Sequence, residues 1–118
     1  MKLWSAAVAP NPRRVEIYLM EKGIEVETEN IDLGAKANYE PEFVAMNPLA
    51  RVPVLELDDG TFLAESKAIC RYFEETHPEP PLIGTDARER ALVEMWDRRM
   101  EIEVMGNMTG AFRHLHPY

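Results

Sequence analysis

The chain has 118 residues, 46% of them apolar, enough for one compact domain and part of a second. Its 21 acidic and 13 basic residues give a formal net charge of −8, which argues against a nucleic-acid-binding surface. No apolar run approaches membrane-spanning length, Met1-Lys2-Leu3-Trp4-Ser5 leads into a strand rather than a signal peptide, and the single Cys70 excludes an internal disulfide, so the expected compartment is cytoplasmic.

Lys2 to Ser5 reads as a short strand. Asn11-Pro12 then starts a helix, with Asn at the N-cap and Pro at the first helical position. Val15, Tyr18 and Leu19 recur at helical spacing, and Gly23 ends the helix after Lys22. Ile24 to Leu33 holds a second strand. Pro41 opens a short helix through Phe43, Val44 and Met46, which Asn47-Pro48 stops. Val52 to Leu57 is a third strand. Asp59-Gly60 signals a tight hairpin, and Thr61 to Ala64 returns antiparallel. Ile69, Tyr72 and Phe73 mark the inner face of a helix ending near Thr76, with Cys70 in the core. The order is β-α-β-α-β-β-α, with the first two strands parallel through a helical crossover.

His77-Pro78-Glu79-Pro80-Pro81 reads as a stiff extended linker. Asp86-Ala87-Arg88-Glu89 fits a capping box. Leu92, Met95, Trp96, Ile102 and Met105 continue a long helix. Gly110 and Pro117 weaken the helical reading from Gly106 to Tyr118. The remaining apolar residues of that helix (Met100, Val104, Met108, Phe112) need a further partner. The expected organisation is one whole domain over 1–77, a linker over 78–86, and the opening of a helical domain over 87–118.

Two places carry chemistry. Pro53 cannot donate to a sheet ladder, so it belongs at a strand's first residue or at an edge. A Val52-Pro53 bond is one of the few that adopts cis at modest cost, and cis would turn the Val52 amide and carbonyl outward for an extended peptide to pair with. Glu65-Ser66 sits where a strand gives way to a helix, and a helix start is a ready carboxylate site. Together they describe a receptor for a small acidic peptide. Glu65-Ser66 also reads as a plain helix cap, and Pro53 as a plain strand entry.

These segments have a familiar order: Leu3-Trp4-Ser5, then Pro10-Asn11-Pro12-Arg13-Arg14-Val15, then Glu21-Lys22-Gly23-Ile24. Asn47-Pro48-Leu49-Ala50-Arg51-Val52-Pro53-Val54-Leu55 follows. Asp59-Gly60, Leu63-Ala64-Glu65-Ser66 and Ile69-Cys70-Arg71-Tyr72 complete it. In that order and at those spacings the chain resembles the glutathione S-transferase family over nearly its whole length. The resemblance implies a thioredoxin-like glutathione-binding domain followed by an all-helical domain that supplies an apolar substrate pocket. Members are usually homodimers and usually longer, so residues 87–118 correspond to the first helix of the second domain.

The resemblance also implies roles. Val52, ahead of Pro53, pairs its backbone with the cysteinyl unit of glutathione. Ser66 accepts the γ-glutamyl carboxylate and Glu65 faces the neighbouring amino group. Arg51 touches the glycyl carboxylate or only solvent, and Lys36 is a further candidate there. The family places Ser, Tyr or Cys after the first strand to hold the thiolate, but here that position is Ala9, which cannot donate. Asn11, near a helix start and used by some bacterial disulfide-reducing relatives, is one substitute. Ser5 and the backbone amides are the others, and Asn11 also reads as an N-cap alone.

Arg13 and Arg14 occupy a first turn where positive charge is unfavourable, which suggests a dimer contact, a ligand carboxylate or solvated surface. The Met-rich last helix suggests a packing or dimer face, with Met105 or Met108 reaching substrate in the full family design. His77, His114 and His116 lack metal-ligand spacing, so no metal is expected. The leading function is attack of the glutathione thiolate on an electrophilic small molecule. A glutathione-dependent disulfide reductase and a non-catalytic glutathione- or protein-binding module are the alternatives.

Overall fold

The computed structural model describes residues 1–115; His116 and Pro117, which the sequence reading weighed as a metal ligand and a helix breaker, lie outside the described residues. The chain forms two compact units, the first Met1–Pro80 and the second beginning at Pro81.

The first unit is a four-stranded sheet with helices on both faces. Its elements are β1 (Lys2–Ser5), α1 (Pro10–Lys22), β2 (Glu27–Asn30), a 3₁₀ turn (Ala37–Tyr39), α2 (Pro41–Met46), β3 (Val54–Glu56), β4 (Phe62–Ala64) and α3 (Ser66–Thr76). The sheet order is β2-β1-β3-β4, with β1 and β2 parallel and the other pairs antiparallel. This is the thioredoxin-like β-α-β-α-β-β-α arrangement expected from the sequence.

Alternation along the strands divides the core in two. Leu3 and Leu55 face α1 and α3, where Val15, Leu19, Ile69, Cys70 and Phe73 close the larger cluster. Val54 turns to the other face and meets Ile31 and Phe43, with Trp4 and Val52 against them. Each fully buried aliphatic or aromatic side chain contributes about 1.5–3 kcal/mol by leaving water.

Two of the strands are shorter than the hydrophobic pattern suggested. β2 covers four of the ten residues from Ile24 to Leu33, and all four are exposed. β3 begins at Val54, because Pro53 has no N–H to give the ladder. The start of α1 also differs. Ala9 holds the N-cap position without a side-chain bond, Pro10 is the first helical residue, and Asn11 is one residue inside the helix. Asn11 is therefore an exposed first-turn residue rather than the cap. The other end matches its signal: Gly23 adopts φ +64°, its N–H reaches Met20, and Ile24 N–H reaches the Leu19 carbonyl at 2.9 Å.

Lys22 closes α1 in a way its charge did not advertise. Its side chain is fully buried, with Nζ donating to the carbonyls of His77 (2.7 Å) and Pro80 (2.8 Å). The same ammonium lies 2.7 Å from Glu74 Oε2, to which the Tyr18 hydroxyl also donates. Burial, then the hydrogen bond to Glu74, pushes the Tyr18 hydroxyl above the ordinary tyrosine range. Lys22 thus binds Pro78–Pro80 into the first unit, so the compact unit runs past His77 to Pro80.

Asparagines shape the loop before β3. Buried Asn47 donates from Nδ2 to the Arg51 carbonyl (2.8 Å) and accepts the Leu49 N–H on Oδ1 (3.2 Å). Buried Asn38 donates to the Ala50 carbonyl (2.8 Å) from the 3₁₀ turn. These bonds hold Ala50 at φ +52°, a left-handed conformation that a Cβ disfavours.

The second unit contains α4 (Ala87–Arg99), a π-helical stretch (Met100–Met105) and α5 (Gly106–Leu115). The helix continues past Gly106, against the expectation of irregular chain there. Asp86 caps α4 by accepting the Glu89 N–H at 2.8 Å. The reciprocal arm of the capping box goes elsewhere: Glu89 Oε2 accepts from the N–H and hydroxyl of Thr85. Neither α4 nor α5 buries a residue.

Lys22→Met takes the ammonium away from the Glu74 carboxylate and the donor away from two carbonyls. It is expected to destabilise the protein by about 3 kcal/mol, the scale of breaking a buried ion pair. Urea unfolding checks this through a lower midpoint. Ala50→Gly removes the Cβ from a left-handed position. A gain of a few tenths to about 1 kcal/mol is expected in the same measurement, since glycine's larger unfolded-state entropy offsets part of the relief.

Candidate functional site

Strand register brings three distant segments to one end of the sheet. Trp4 pairs with Val54, and Val54 pairs with Ala64. One step further along those ladders stand Ser5, Pro53 and Glu65. The loop Ala6–Ala9 leads from β1 to the start of α1, and α3 begins at Ser66 directly after β4. The Arg14 guanidinium then joins the two helix starts by donating to Ser66 Oγ at 2.9 Å.

The Val52-Pro53 peptide is cis. Among the described residues the Val52 N–H and C=O make no hydrogen bond, although both neighbouring segments are fixed. A half-buried residue with unpaired backbone groups is a template for an extended peptide. Arg51 is exposed beside it, with its carbonyl held by Asn47.

Glu65 stands at φ +71°, ψ 114°, outside the regions a non-glycine residue prefers. Such strain persists at about 1–3 kcal/mol only where the surroundings impose it, and it clusters at ligand sites. Its side chain is exposed and does not cap α3. The plain-cap reading of Glu65 therefore fails, since its carboxylate accepts no N–H of that turn. Ser66 is buried at the first helical position with its hydroxyl between Arg14 and that helix start.

Asn11 lies three residues before Arg14, so the two share a face of α1. Pro10 and Pro12 have no N–H, so Asn11 carries the sole backbone donor among the first three residues of the helix. An anion near this end would meet that N–H, the Asn11 side-chain amide and the positive end of the helix dipole. Ser5 is placed differently. It is buried among the residues beneath α1, and its hydroxyl donates to Glu16. Lys36 is exposed at φ +60° just ahead of the 3₁₀ turn, whose Asn38 anchors the Ala50 loop.

The structure thus gathers Val52, Pro53, Glu65 and Ser66 at one sheet end, with Arg51 next in the chain and with Asn11 in the first turn of α1, which the chain enters from that same end of β1. It sets Ser5 into the interior. Sequence reasoning missed Asn38 and Asn47 as the supports of the loop. An asparagine before a proline, in a segment lacking strand or helix periodicity, was the available signal for Asn47. Among the described residues no three His, Cys, Asp or Glu side chains are grouped to hold a metal ion, and no helix is long and apolar enough to cross a membrane.

The glutathione S-transferase N-terminal domain family matches residues 8–76. Glutathione S-transferase 2 of Saccharomyces cerevisiae is 36% identical over 119 aligned positions, covering 99% of this chain and 51% of the yeast protein. A glutathione S-transferase domain-containing protein from Marinobacter aquaeolei superposes with a TM-score of 0.87 at 40% identity, over 95% of this chain and 55% of that one. A glutathione transferase homologue from Sulfitobacter, solved with bound glutathione, superposes with a TM-score of 0.79 at 25% identity, over 85% and 48% of the two chains. The chain spans about half the length of the relatives it matches. With a matching domain, a matching sheet and relatives above 30% identity, it belongs to the glutathione S-transferase family.

Proposed function

We propose that this chain binds glutathione and stabilises its sulfur as a thiolate for attack on an electrophilic, apolar small molecule. The observation that carries the reading is the meeting, at one sheet end, of the unpaired Val52 backbone and the uncapped start of α3. Glutathione matches both halves: an extended peptide with a carboxylate and an amino group at one terminus. Val52 and Pro53 take the cysteinyl backbone, Ser66 takes the γ-glutamyl carboxylate, and Glu65 faces the amino group. Arg51 and Lys36 are the cations available to the glycyl carboxylate. No metal takes part.

A free thiol has a pKa near about 8.5, so a thiolate at neutral pH needs a nearby donor or positive potential. Ala9 supplies neither. Asn11 supplies an amide side chain and a backbone N–H at the positive end of α1. Ser5 is the weaker candidate, because its hydroxyl proton is committed to Glu16. Reduction of glutathione mixed disulfides is the second reading, and the Ala9 and Asn11 pair favours it. A non-catalytic glutathione-binding module is the third.

Residues 1–77 form the glutathione-binding domain in this reading, 78–86 the linker, whose first residues Lys22 holds against that domain, and 87–118 the first part of a helical domain. The exposed Trp96, Met100 and Met108 supply an apolar surface of the kind a homodimer covers. The composition favours a cytoplasmic protein that binds neither nucleic acid nor membrane.

Three assays on the 118-residue chain separate the readings. A transferase conjugates a chlorinated aromatic substrate, a reductase turns over a mixed disulfide with glutathione, and a binding module does neither yet binds glutathione. Asn11→Ala is expected to lower either activity at least tenfold, and unchanged turnover removes Asn11 from the mechanism. Ser66→Ala is expected to weaken glutathione binding by about 1–2 kcal/mol, the scale of a charge-assisted hydrogen bond. Calorimetric titration measures it, and an unaltered dissociation constant rejects the carboxylate site.

A further inference from the structure

β2 lies at an edge of the sheet, with β1 on one side and no strand on the other. Ile31 N–H donates to the Ser5 carbonyl at 2.7 Å, so the peptide groups of Glu27 and Glu29 face β1 as well. Those of Thr28 and Asn30 therefore face outward. Among the described residues no backbone group pairs with them there. Thr28 stands opposite Leu3, so its side chain lies on the face that α1 covers.

On that face the edge borders an open cleft of about 410 Å³ between α1 and β2. Leu19, Met20, Ile24 and Val26 give it an apolar lining, and Met20 is 78% exposed there. Glu16 and Glu25 add carboxylates to the cleft, and among the described residues neither forms an ion pair. On the opposite face Glu27 and Glu29 share one cation, Lys2. Charges on an edge strand commonly block pairing with another strand. Blocking alone does not call for an apolar cleft beside the edge, and carboxylates attract a basic strand while repelling an acidic one.

We propose that the β2 edge and this cleft form a docking site for an extended segment of another protein, one in which basic and apolar residues alternate. Its backbone pairs with Thr28 and Asn30, its apolar side chains enter the cleft, and its basic side chains meet Glu27 and Glu29. A second copy of this chain is a poor occupant at a net charge of −8. The site shares no residue with the glutathione reading and is tested apart from it.

The probe is a fluorescein-labelled peptide, Lys-Val-Lys-Val-Lys-Val-Lys, titrated with the full chain at low ionic strength and read by anisotropy. The control, Lys-Lys-Lys-Lys-Val-Val-Val, has the same composition without the alternation. The alternating peptide is expected to bind at least tenfold more tightly than the control. A smaller ratio, or no binding, overturns the proposal. Met20→Lys sets a cation in the cleft from an exposed helical position and is expected to weaken the alternating peptide at least tenfold. Thr28→Pro removes an outward N–H without touching the β1 ladder and is expected to do the same. Met20→Lys decides the matter if the proline variant does not fold, and an unaltered affinity in either folded variant overturns the proposal. Excess glutathione is expected to leave the peptide's affinity within twofold. Displacement by glutathione places the peptide at Val52 instead and overturns the proposal. Self-association of the unaltered chain that Met20→Lys abolishes, measured by sedimentation, assigns the face to a second copy and overturns it too.

Discussion

Leu3 faces Leu55 across the β1–β3 ladder, and Leu55 faces Leu63 across β3–β4. These three leucines lie on the sheet face that α1 and α3 cover. Side chains alternate along a strand, so a slip of one residue in either ladder would turn Glu56 or Lys2 into the apolar cluster. The register is therefore fixed by burial. Everything at the sheet end follows from it, because Pro53 and Glu65 meet only when Val54 stands opposite Ala64. The peptide template and the anion-attracting helix start are on separate parts of the chain. The leucine ladder makes them one place.

Much of this was legible in the sequence, for identifiable reasons. The hairpin at Asp59-Gly60, the stop at Gly23 and the opening of α2 at Pro41 are local backbone requirements that few residue types meet. The inner faces of α1 and α3 followed from apolar spacing, and Val15, Leu19, Ile69 and Phe73 are all in the core. Element ends were less legible. Asn11-Pro12 imitates a cap followed by a first residue, but Pro10 fits the first position equally well and starts the helix two residues earlier than Pro12. The continuation through Gly106 was hidden because a glycine inside a helix weakens it by only about 1 kcal/mol, which neighbouring turns can outweigh.

The parts of the site that escaped were those made by long-range polar pairing. Arg14 with Ser66, Asn38 with Ala50, and Lys22 with Glu74 and two carbonyls join positions that no local pattern connects. Lys22 is the clearest instance. A lysine in a last turn is what the helix dipole favours on an exposed surface, so its sequence context gives no sign of burial. Burial became tolerable because three oxygens converge on one ammonium, and those oxygens belong to α3 and the segment after it.

The open flank of the sheet at β2 has a consequence for how copies of this chain can associate. Glu27, Thr28, Glu29 and Asn30 leave that flank lined with carboxylates and polar groups, and at the opposite flank β4 is only three residues long. A neighbouring copy approaching strand to strand would set acid against acid on one side and find too brief a ladder on the other. Growth by sheet extension is thereby discouraged at both margins, which leaves helical surfaces as the ground on which self-recognition, and protection from fibrous assembly, can coexist.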